Sequence, residues 1–265
     1  MLYWKSFSSK RILALMIKSP HKTHFGFQEI DTHQKADKVA QVFDGVASSY
    51  DLMNDLMSFG LHRLWKKQVI ALAHLKIGHM VCDLAAGTGD LTIAIANKVS
   101  SKGFVIHSDI NRSMLKVGRD RIMNTGNTNQ VMSVQIDAQA LPFEDNSLDR
   151  VFMGFGLRNV TDKQQALNEM QRVLKPGGIA LVLEFSKPTG KLIQKIYDTY
   201  SFSILPKIGK IVAKNEAAYQ YLAESIRMHP DQEALKLMMM QAGFDEVDYT
   251  NSSCGIVAIH RGFKF

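Results

Sequence analysis

Cysteine is scarce in this chain. Cys82 and Cys254 are the two in 265 residues, far apart, each in an apolar run and with no C-x-x-C spacing. That excludes a disulfide framework and a structural zinc set, and it points to buried thiols in a reducing compartment. Long hydrophobic runs are also missing: no stretch approaches the roughly 18 apolar residues that a spanning helix needs. There is no internal repeat and no low-complexity tract. Acid is lacking at one end. The first 28 residues hold Lys5, Lys10, Arg11, Lys18 and Lys22 and no Asp or Glu before Glu29, so of the formal charge of +7 only +2 belongs to the rest. A basic total of that origin is a poor sign of nucleic-acid binding, which needs Lys and Arg clustered on one face of a folded body. No nucleic-acid partner is expected.

What is present is ordinary for a globular chain, with 46% hydrophobic and 22% charged residues, and the length fits one domain with an elaborated lid. Met1 to Ile17 joins basic and serine residues to a six-residue apolar run, Ile12 to Ile17. That run is shorter than a secretory h-region and no small-residue cleavage pattern follows, so residues 1–22 are expected to be a disordered extension, with a transit peptide as the alternative. One domain is expected over 23–265.

From 35 to 77 the apolar residues Val39, Val42, Phe43, Val46, Leu61, Leu64, Trp65 and Ile70 recur at helical spacing. Amphipathic helices are expected there, interrupted by a polar turn at Tyr50-Asp51-Leu52-Met53-Asn54-Asp55. After Gly78 short apolar runs alternate with helical ones, the signature of a parallel sheet with crossover helices. The strands expected are 80–84, 104–107, 131–136, 148–155 and 179–183. The helices are 91–99, 113–124 and 163–174, the last stopped by Lys175-Pro176-Gly177-Gly178. A helical, aromatic-rich insertion over 190–228 reads as a lid. A helix at 231–242 and two strands, 244–249 and 255–260, finish the chain, with an antiparallel edge. The fold class expected is α/β: a doubly wound, mostly parallel sheet.

Asp83-Leu84-Ala85-Ala86-Gly87-Thr88-Gly89-Asp90 falls where a strand ends and a helix begins. Small residues let that backbone turn tightly against a ligand, and the helix start offers free N–H groups. The full G-x-G-x-x-G of dinucleotide enzymes is absent, because position 92 is Thr. Twenty residues past Gly89, Asp109 closes the second strand, where a carboxylate can accept from two ribose hydroxyls. It can also cap the following helix. Asp137-Ala138 follows the third strand, with Leu141-Pro142-Phe143 beyond, and an acid there can accept from an adenine amine beside an apolar slot. Three consecutive strand ends thus face one crevice, the usual ligand position in open α/β sheets.

In this order the Asp83–Asp90 loop, Asp109 and Asp137 resemble class I, Rossmann-like S-adenosylmethionine methyltransferases. Further segments resemble the UbiE/COQ5 ubiquinone/menaquinone methyltransferase family: Phe155-Gly156-Leu157-Arg158-Asn159-Val160-Thr161-Asp162, Leu183 to Pro188, Tyr221 to Pro230, Tyr50 to Trp65, and the end His260 to Phe265. The similarity runs from about Thr23 to Phe265. It implies S-adenosylmethionine as methyl donor, no metal, and C-methylation of a polyprenylated benzoquinol or naphthoquinol. On the cofactor it implies Asp83, Gly87, Thr88, Gly89, Asp109, Asp137, Ala138 and Gly154. At Gly154 a Ser is familiar, so only backbone contact is left. The chain is similar to bacterial members, lacking an insertion between the first two strands. A cytoplasmic protein is therefore expected, peripheral at the inner membrane, with the mitochondrial matrix as the alternative. Transient membrane-surface contact, other quinone-biosynthesis proteins and a homodimer are the partners the resemblance leaves open.

Methyl transfer from a sulfonium is an in-line displacement, so donor and acceptor must be held near 3 Å in line with water excluded. A ring carbon becomes nucleophilic when its neighbouring phenol ionises, which calls for a base or a cation. Arg158 suits the phenolate side, because its guanidinium is always charged. His229, His62 and Tyr197 are the candidates for moving the proton, each with ordinary packing as the competing reading. Phe185, Tyr197, Tyr200, Phe202, Tyr219, Tyr221 and the methionines 228 and 238–240 suit either a core or an apolar lid for a flat ring and its tail. Two rival functions stand: a non-catalytic scaffold of a quinone-synthesis complex, and a nucleotide-binding oxidoreductase.

Overall fold

A computed structural model describes residues 22–46, 50–126, 129–204 and 216–265. The expected N-terminal extension therefore lies outside the described residues except for Lys22, and 205–215 of the expected lid lie outside them too. The described residues open with a hairpin of β1 (Lys22–Phe25) and β2 (Gln28–Asp31), joined by Gly26-Phe27, with Gly26 at φ +59°. A two-residue connection of this kind needs a left-handed residue, and glycine supplies it. The signal was Phe25-Gly26-Phe27 between two short alternating runs, which the sequence reading passed over.

Three helices follow: α1 (Thr32–Asp44), α2 (Tyr50–Ser58) and α3 (His62–Leu72). The polar turn expected at 50–55 is instead the start of α2. Asp51 sits in its first turn, where a negative charge favours a helix N-terminus. Met53 and Met57, four apart, bury one face, and that burial outweighs the turn propensity of Asn54 and Asp55.

A seven-stranded sheet carries the domain, in the order β5-β4-β3-β6-β7-β9-β8. Its strands are β3 (Met80–Leu84), β4 (Phe104–Asp109), β5 (Val131–Gln135), β6 (Leu148–Gly154), β7 (Leu174–Phe185), β8 (Glu246–Ser252) and β9 (Val257–Lys264). β5, β4, β3, β6 and β7 are parallel; β9 runs antiparallel to β7 and to β8. The expected doubly wound fold and antiparallel edge are both present. Crossovers are α4 (Asp90–Val99), α5 (Arg112–Asn124) and α6 (Lys163–Val173), and α9 (Gln232–Gln241) precedes β8. β7 begins earlier than expected: Leu174 already pairs with Leu148, and the register then shifts before Arg150 meets Ile179. Lys175 to Gly178 therefore loop out within a strand.

Alternation along the strands divides the core in two. Val81, Ile179, Leu181, Leu183 and Phe185 pack with Trp65, Ile95 and Tyr219 on one face. Cys82, Leu84, Ala180 and Val182 pack with Leu167, Met170 and Met239 on the other. Strands buried on both faces read as continuous apolar runs, and these do. α7 (Lys191–Thr199) and α8 (Glu216–Arg227), with a π-helical turn at Tyr200–Ile204, are the described helices of the segment expected as a lid. Cys82 is buried as expected, but Cys254 is exposed. It occupies the turn between β8 and β9 with φ +55°, and its side chain faces solvent instead of either core. Among the described residues no helix is long and apolar enough to cross a membrane.

Candidate functional site

Strand order reverses between β3 and β6, so the carboxyl ends of β3, β4 and β6 open onto a crevice at the topological switch point. A cavity of about 300 Å³ occupies it, walled by the ends of those strands, by Ile136 to Gln139 after β5, and by α1. The loop after β3 makes its floor. Ala85 and Gly87 take left-handed backbone, at φ +50° and +56°, a costly conformation for an alanine and a free one for a glycine. α5 closes on this loop because residue 118 is glycine: a Cβ there would stand 2.4 Å from the Gly87 carbonyl oxygen and 2.5 Å from the His107 ring. His107 then donates through Nε2 to Gly87 O (3.1 Å), with Nδ1 3.0 Å from the Ser133 hydroxyl.

Asp109 sits at the centre of the arrangement. Its Oδ2 accepts from Gly87 N (2.9 Å) and its Oδ1 from Asn111 N (2.8 Å). Asn111 caps α5 by accepting from Met114 N (2.8 Å) and ties α1 to the site through Asp44 (3.0 Å). The helix cap is therefore Asn111, and Asp109 braces the loop. A carboxylate has about four acceptor positions, so two remain for a ligand. Burial raises this carboxyl to about 6 against the opposing pull of the backbone N–H groups. Asp83 is fully buried, accepts from the Thr92 hydroxyl (2.6 Å), and keeps Oδ1 without a partner. Burial raises it to about 7.

Of the residues expected on the cofactor, Gly87, Asp109, Asp137 and Ala138 line the cavity. Asp137 lies at its exposed rim, with Oδ1 accepting from Gln139 N (2.9 Å). Asp83, Thr88, Gly89 and Gly154 are not among the lining residues. The Thr88 hydroxyl donates to Asp51 (3.2 Å). At Gly154 a Cβ would stand 2.6 Å from Leu91 Cδ1, so a larger residue there requires Leu91 to move.

The four candidates for catalysis are dispersed. Arg158 is 5% exposed, in the 3-10 turn Leu157–Asn159 after β6. Its Nη1 donates to Glu184 (2.8 Å) and to Phe155 O (2.5 Å), while Nε has no partner. Glu184 Oε2 also accepts from Arg158 N (3.2 Å) and Oε1 from Phe185 N (2.9 Å). The pair thus pins the loop 155–158 to the end of β7. His229 is 4% exposed with both nitrogens unpartnered, and burial, reinforced by Lys163 and Arg158, holds it well below the usual histidine range. It stays neutral and is a weak proton acceptor. His62 lies on α3, outside the cavity lining, with Nε2 2.9 Å from Asp55 Oδ1. Arg63 and His62 together hold that carboxyl down at about 2. Tyr197 lines a separate small cavity with Ser186 and Arg227, and burial pushes its phenol up to about 12.

Two residues missed as site candidates line the main cavity instead. Tyr50, at the start of α2, is one; burial raises its phenol against the nearby Arg158 charge. Asn159 is the other, with Oδ1 accepting from the Tyr221 hydroxyl (3.0 Å), which leaves its amide N–H groups for a ligand. The signal for both was adjacency: Tyr50 opens a segment already singled out, and Asn159 follows Arg158. Phe185 and Tyr219 prove to be core residues, Phe185 packing on Phe155 with ring centroids 4.9 Å apart. Tyr221 stacks on Phe25 at 4.3 Å, which brings α8 against the hairpin.

Residues 31–264 match the model of the ubiE/COQ5 methyltransferase family. A relative from Shewanella frigidimarina, named ubiquinone/menaquinone biosynthesis C-methyltransferase UbiE, is 56% identical over 93% of this chain and 98% of its own length. One of the same name from Escherichia coli is 57% identical over 94% and 99%. Among solved structures, a SAM-dependent methyltransferase of Thermotoga maritima superposes with a TM-score of 0.57 at 21% identity, covering 85% of this chain and 99% of that one. The phosphoethanolamine N-methyltransferase 2 of Haemonchus contortus, in complex with S-adenosyl-L-methionine, gives 0.53 at 21% identity, over 71% of this chain and 38% of that one. At these identities the two structures bear on the fold alone.

Proposed function

The chain belongs to the ubiE/COQ5 methyltransferase family, and on that premise we propose that it transfers a methyl group from S-adenosylmethionine to a ring carbon of a polyprenylated quinol in ubiquinone or menaquinone biosynthesis. The observation that carries the reading is Asp109, a buried carboxylate with two acceptor positions left, at the switch-point cavity beside a left-handed glycine loop. The residues fit an adenosyl group: Asp109 for the ribose hydroxyls, Asp137 for the adenine amine, Ile136 and Ala138 for the base faces. Asp83 Oδ1, buried without a partner, suits the positive end of the methionine portion. Bound there, the donor supplies an electrophilic methyl.

The chain's own work is positioning, which in well-oriented systems is worth about 7–11 kcal/mol of barrier. Tyr50 and the Asn159 amide face the same cavity as Asp109 and hold the acceptor's ring hydroxyl. Phe155 forms an apolar wall, held by Arg158 through its carbonyl. Arg158 stands outside the cavity lining, paired with Glu184, and its charge acts through the wall on the Tyr50 phenol; acting likewise on the acceptor it favours the ionised phenol, which pushes electron density onto the neighbouring ring carbon. His229, neutral and weakly basic, does not fit the role of proton acceptor, and Tyr197 stays protonated at neutral pH. The phenol's proton passes to water at the cavity mouth. The scaffold reading has no support: the loop, Asp109 and Asp137 meet at one cavity, and the relatives at 56% and 57% identity carry the name of a C-methyltransferase. The oxidoreductase reading fails with the missing third glycine and with the family. Labelled methyl offered with short-chain demethylmenaquinol and benzoquinol analogues tests the proposal. Incorporation into the quinols and not into the matching quinones is the expected result, and equal incorporation into both removes the phenolate step.

A further inference from the structure

A second, smaller cavity of about 80 Å³ neighbours the cofactor cavity, its wall including Lys35, Lys163, Arg158, His24, Tyr221 and Ser225. At about 30 Å³ per water it has room for two or three waters or one small oxyanion. Its charge is unusual. Lys35 is 3% exposed, and its ammonium donates to Val160 O (3.2 Å). Lys163 donates to the same oxygen (3.4 Å). Two ammonium groups thus share one carbonyl, and neither forms an ion pair among the described residues. The third cation, Arg158, keeps Nε buried and unpartnered.

The acids nearby are already committed. Glu184 is bound to Arg158 and to two backbone N–H groups. Asp162 caps α6 by accepting from Gln165 N (2.9 Å), and Glu224 accepts from Phe27 N (3.1 Å) and Gln220 (2.8 Å). The Tyr221 and Ser225 hydroxyls donate elsewhere, to Asn159 and to Leu222 O. Two ammonium groups without an ion pair, beside a guanidinium paired with Glu184 alone, are a costly arrangement, since buried charges need partners. Burial and the Lys163 charge together lower Lys35 to about 8.

We propose that this cavity is a site for a small oxyanion, phosphate or carboxylate, gripped by the Lys35 and Lys163 ammonium groups, with the Arg158 guanidinium in its wall adding positive charge. It shares its partition with the cofactor cavity: Val160 and Asn159 line the larger one, and Lys35 is followed on α1 by Ala36, Asp37 and Val39, which line it too. An oxyanion here ties α1, a wall of the cofactor cavity, to the start of α6, two residues past Thr161 of the same wall, and so tightens the hold on an adenosyl ligand. By linkage that ligand tightens the oxyanion equally. The coupling rests on the cofactor placement proposed above; the anion site does not.

The test titrates inorganic phosphate, and separately acetate, into the full chain by calorimetry at constant ionic strength. Wild type, Lys35→Met, Lys163→Met and the exposed control Lys98→Met are compared. Because Lys163 is only partly buried, Lys163→Met keeps the test open if Lys35→Met fails to fold. The expected result is saturable phosphate binding in wild type and control, at least about 10-fold weaker in each site variant. S-adenosylhomocysteine should bind about 5-fold tighter in phosphate than in chloride, and only where the lysines are intact. Saturation by acetate alone would assign the site to a carboxylate-bearing metabolite, and by phosphate to the free ion or a phosphoryl group. No saturable binding of either, or equal binding in wild type and Lys163→Met, overturns the proposal. A chain that binds phosphate but not S-adenosylhomocysteine sinks the cofactor reading and leaves the anion site standing.

Discussion

Replacing Asp109 by Asn separates binding from folding in a way the structure makes quantitative. The shape is kept, but the anion is lost, and one of the two amide positions now presents a donor to the Gly87 or Asn111 N–H. Hydrogen bonds to a charged group contribute about 1.5–3 kcal/mol each. Losing two from the ribose hydroxyls therefore costs about 3–6 kcal/mol, or roughly 10²- to 10⁴-fold in affinity for S-adenosylhomocysteine. Stability moves the other way. The carboxyl is raised from 3.8 to about 6 by burial, so the ionised form costs the fold about 3 kcal/mol, at 1.36 kcal/mol per unit. That cost is full above pH 6 and vanishes below 3.8; the backbone N–H left facing the amide donor offsets about 1–3 kcal/mol of the gain, so at pH 8 Asp109→Asn should melt close to wild type. The same carboxylate dictates the wild-type pH profile. A ligand donating to it needs the ionised form, so affinity should fall below about pH 6. Calorimetry at pH 8 and pH 5, beside thermal melts, reads all three quantities. Affinity within about 3-fold of wild type at pH 8 would refute the ribose assignment.

Glu184→Gln leaves Arg158 buried and uncompensated and should destabilise the chain by about 3–5 kcal/mol, read by urea titration; a change under 1 kcal/mol would mean the guanidinium reaches water. Tyr50→Phe keeps the ring in the cavity wall and removes the hydroxyl, so kcat should fall by about 10- to 100-fold with S-adenosylhomocysteine affinity preserved. An unchanged kcat would take Tyr50 off the acceptor. His62→Gln disturbs only the pairing with Asp55, so methyl transfer should stay within about 2-fold of wild type while stability drops by about 1 kcal/mol; lost turnover with an intact fold would return His62 to the site.

The parallel sheet was legible because buried strands and crossover helices carry two different periods, and each run from Met80 to Ile179 obeys one of them. The crevice at the strand ends was legible because it depends on backbone: strand ends, a glycine turn and acids at fixed spacing, which bring Gly87, Asp109, Asp137 and Ala138 to one cavity. The rest of the cavity wall depends on side chains brought together across more than a hundred residues. The Tyr50, Asn159 and Tyr221 grouping left no local pattern to read. Histidines misled for the same reason, since a sequence does not say whether a ring faces a cavity, an aspartate or the core. His62 faces Asp55, and His229 is walled in. Gly118 was passed over because a glycine inside a helix reads as a flaw, when its use is the approach of α5 to the Gly87 carbonyl.

The central claim is that the acceptor is a ring carbon made nucleophilic by an ionised neighbouring hydroxyl, and the most direct measurement is the structure of the product. A reduced short-chain demethylmenaquinol analogue is incubated with S-adenosylmethionine and the chain, and the product is analysed by mass spectrometry and proton NMR. The account predicts one added methyl on a ring carbon, loss of that ring proton, and both hydroxyls retained. A methyl ether on oxygen, or no product from a chain that binds S-adenosylhomocysteine tightly, would contradict it.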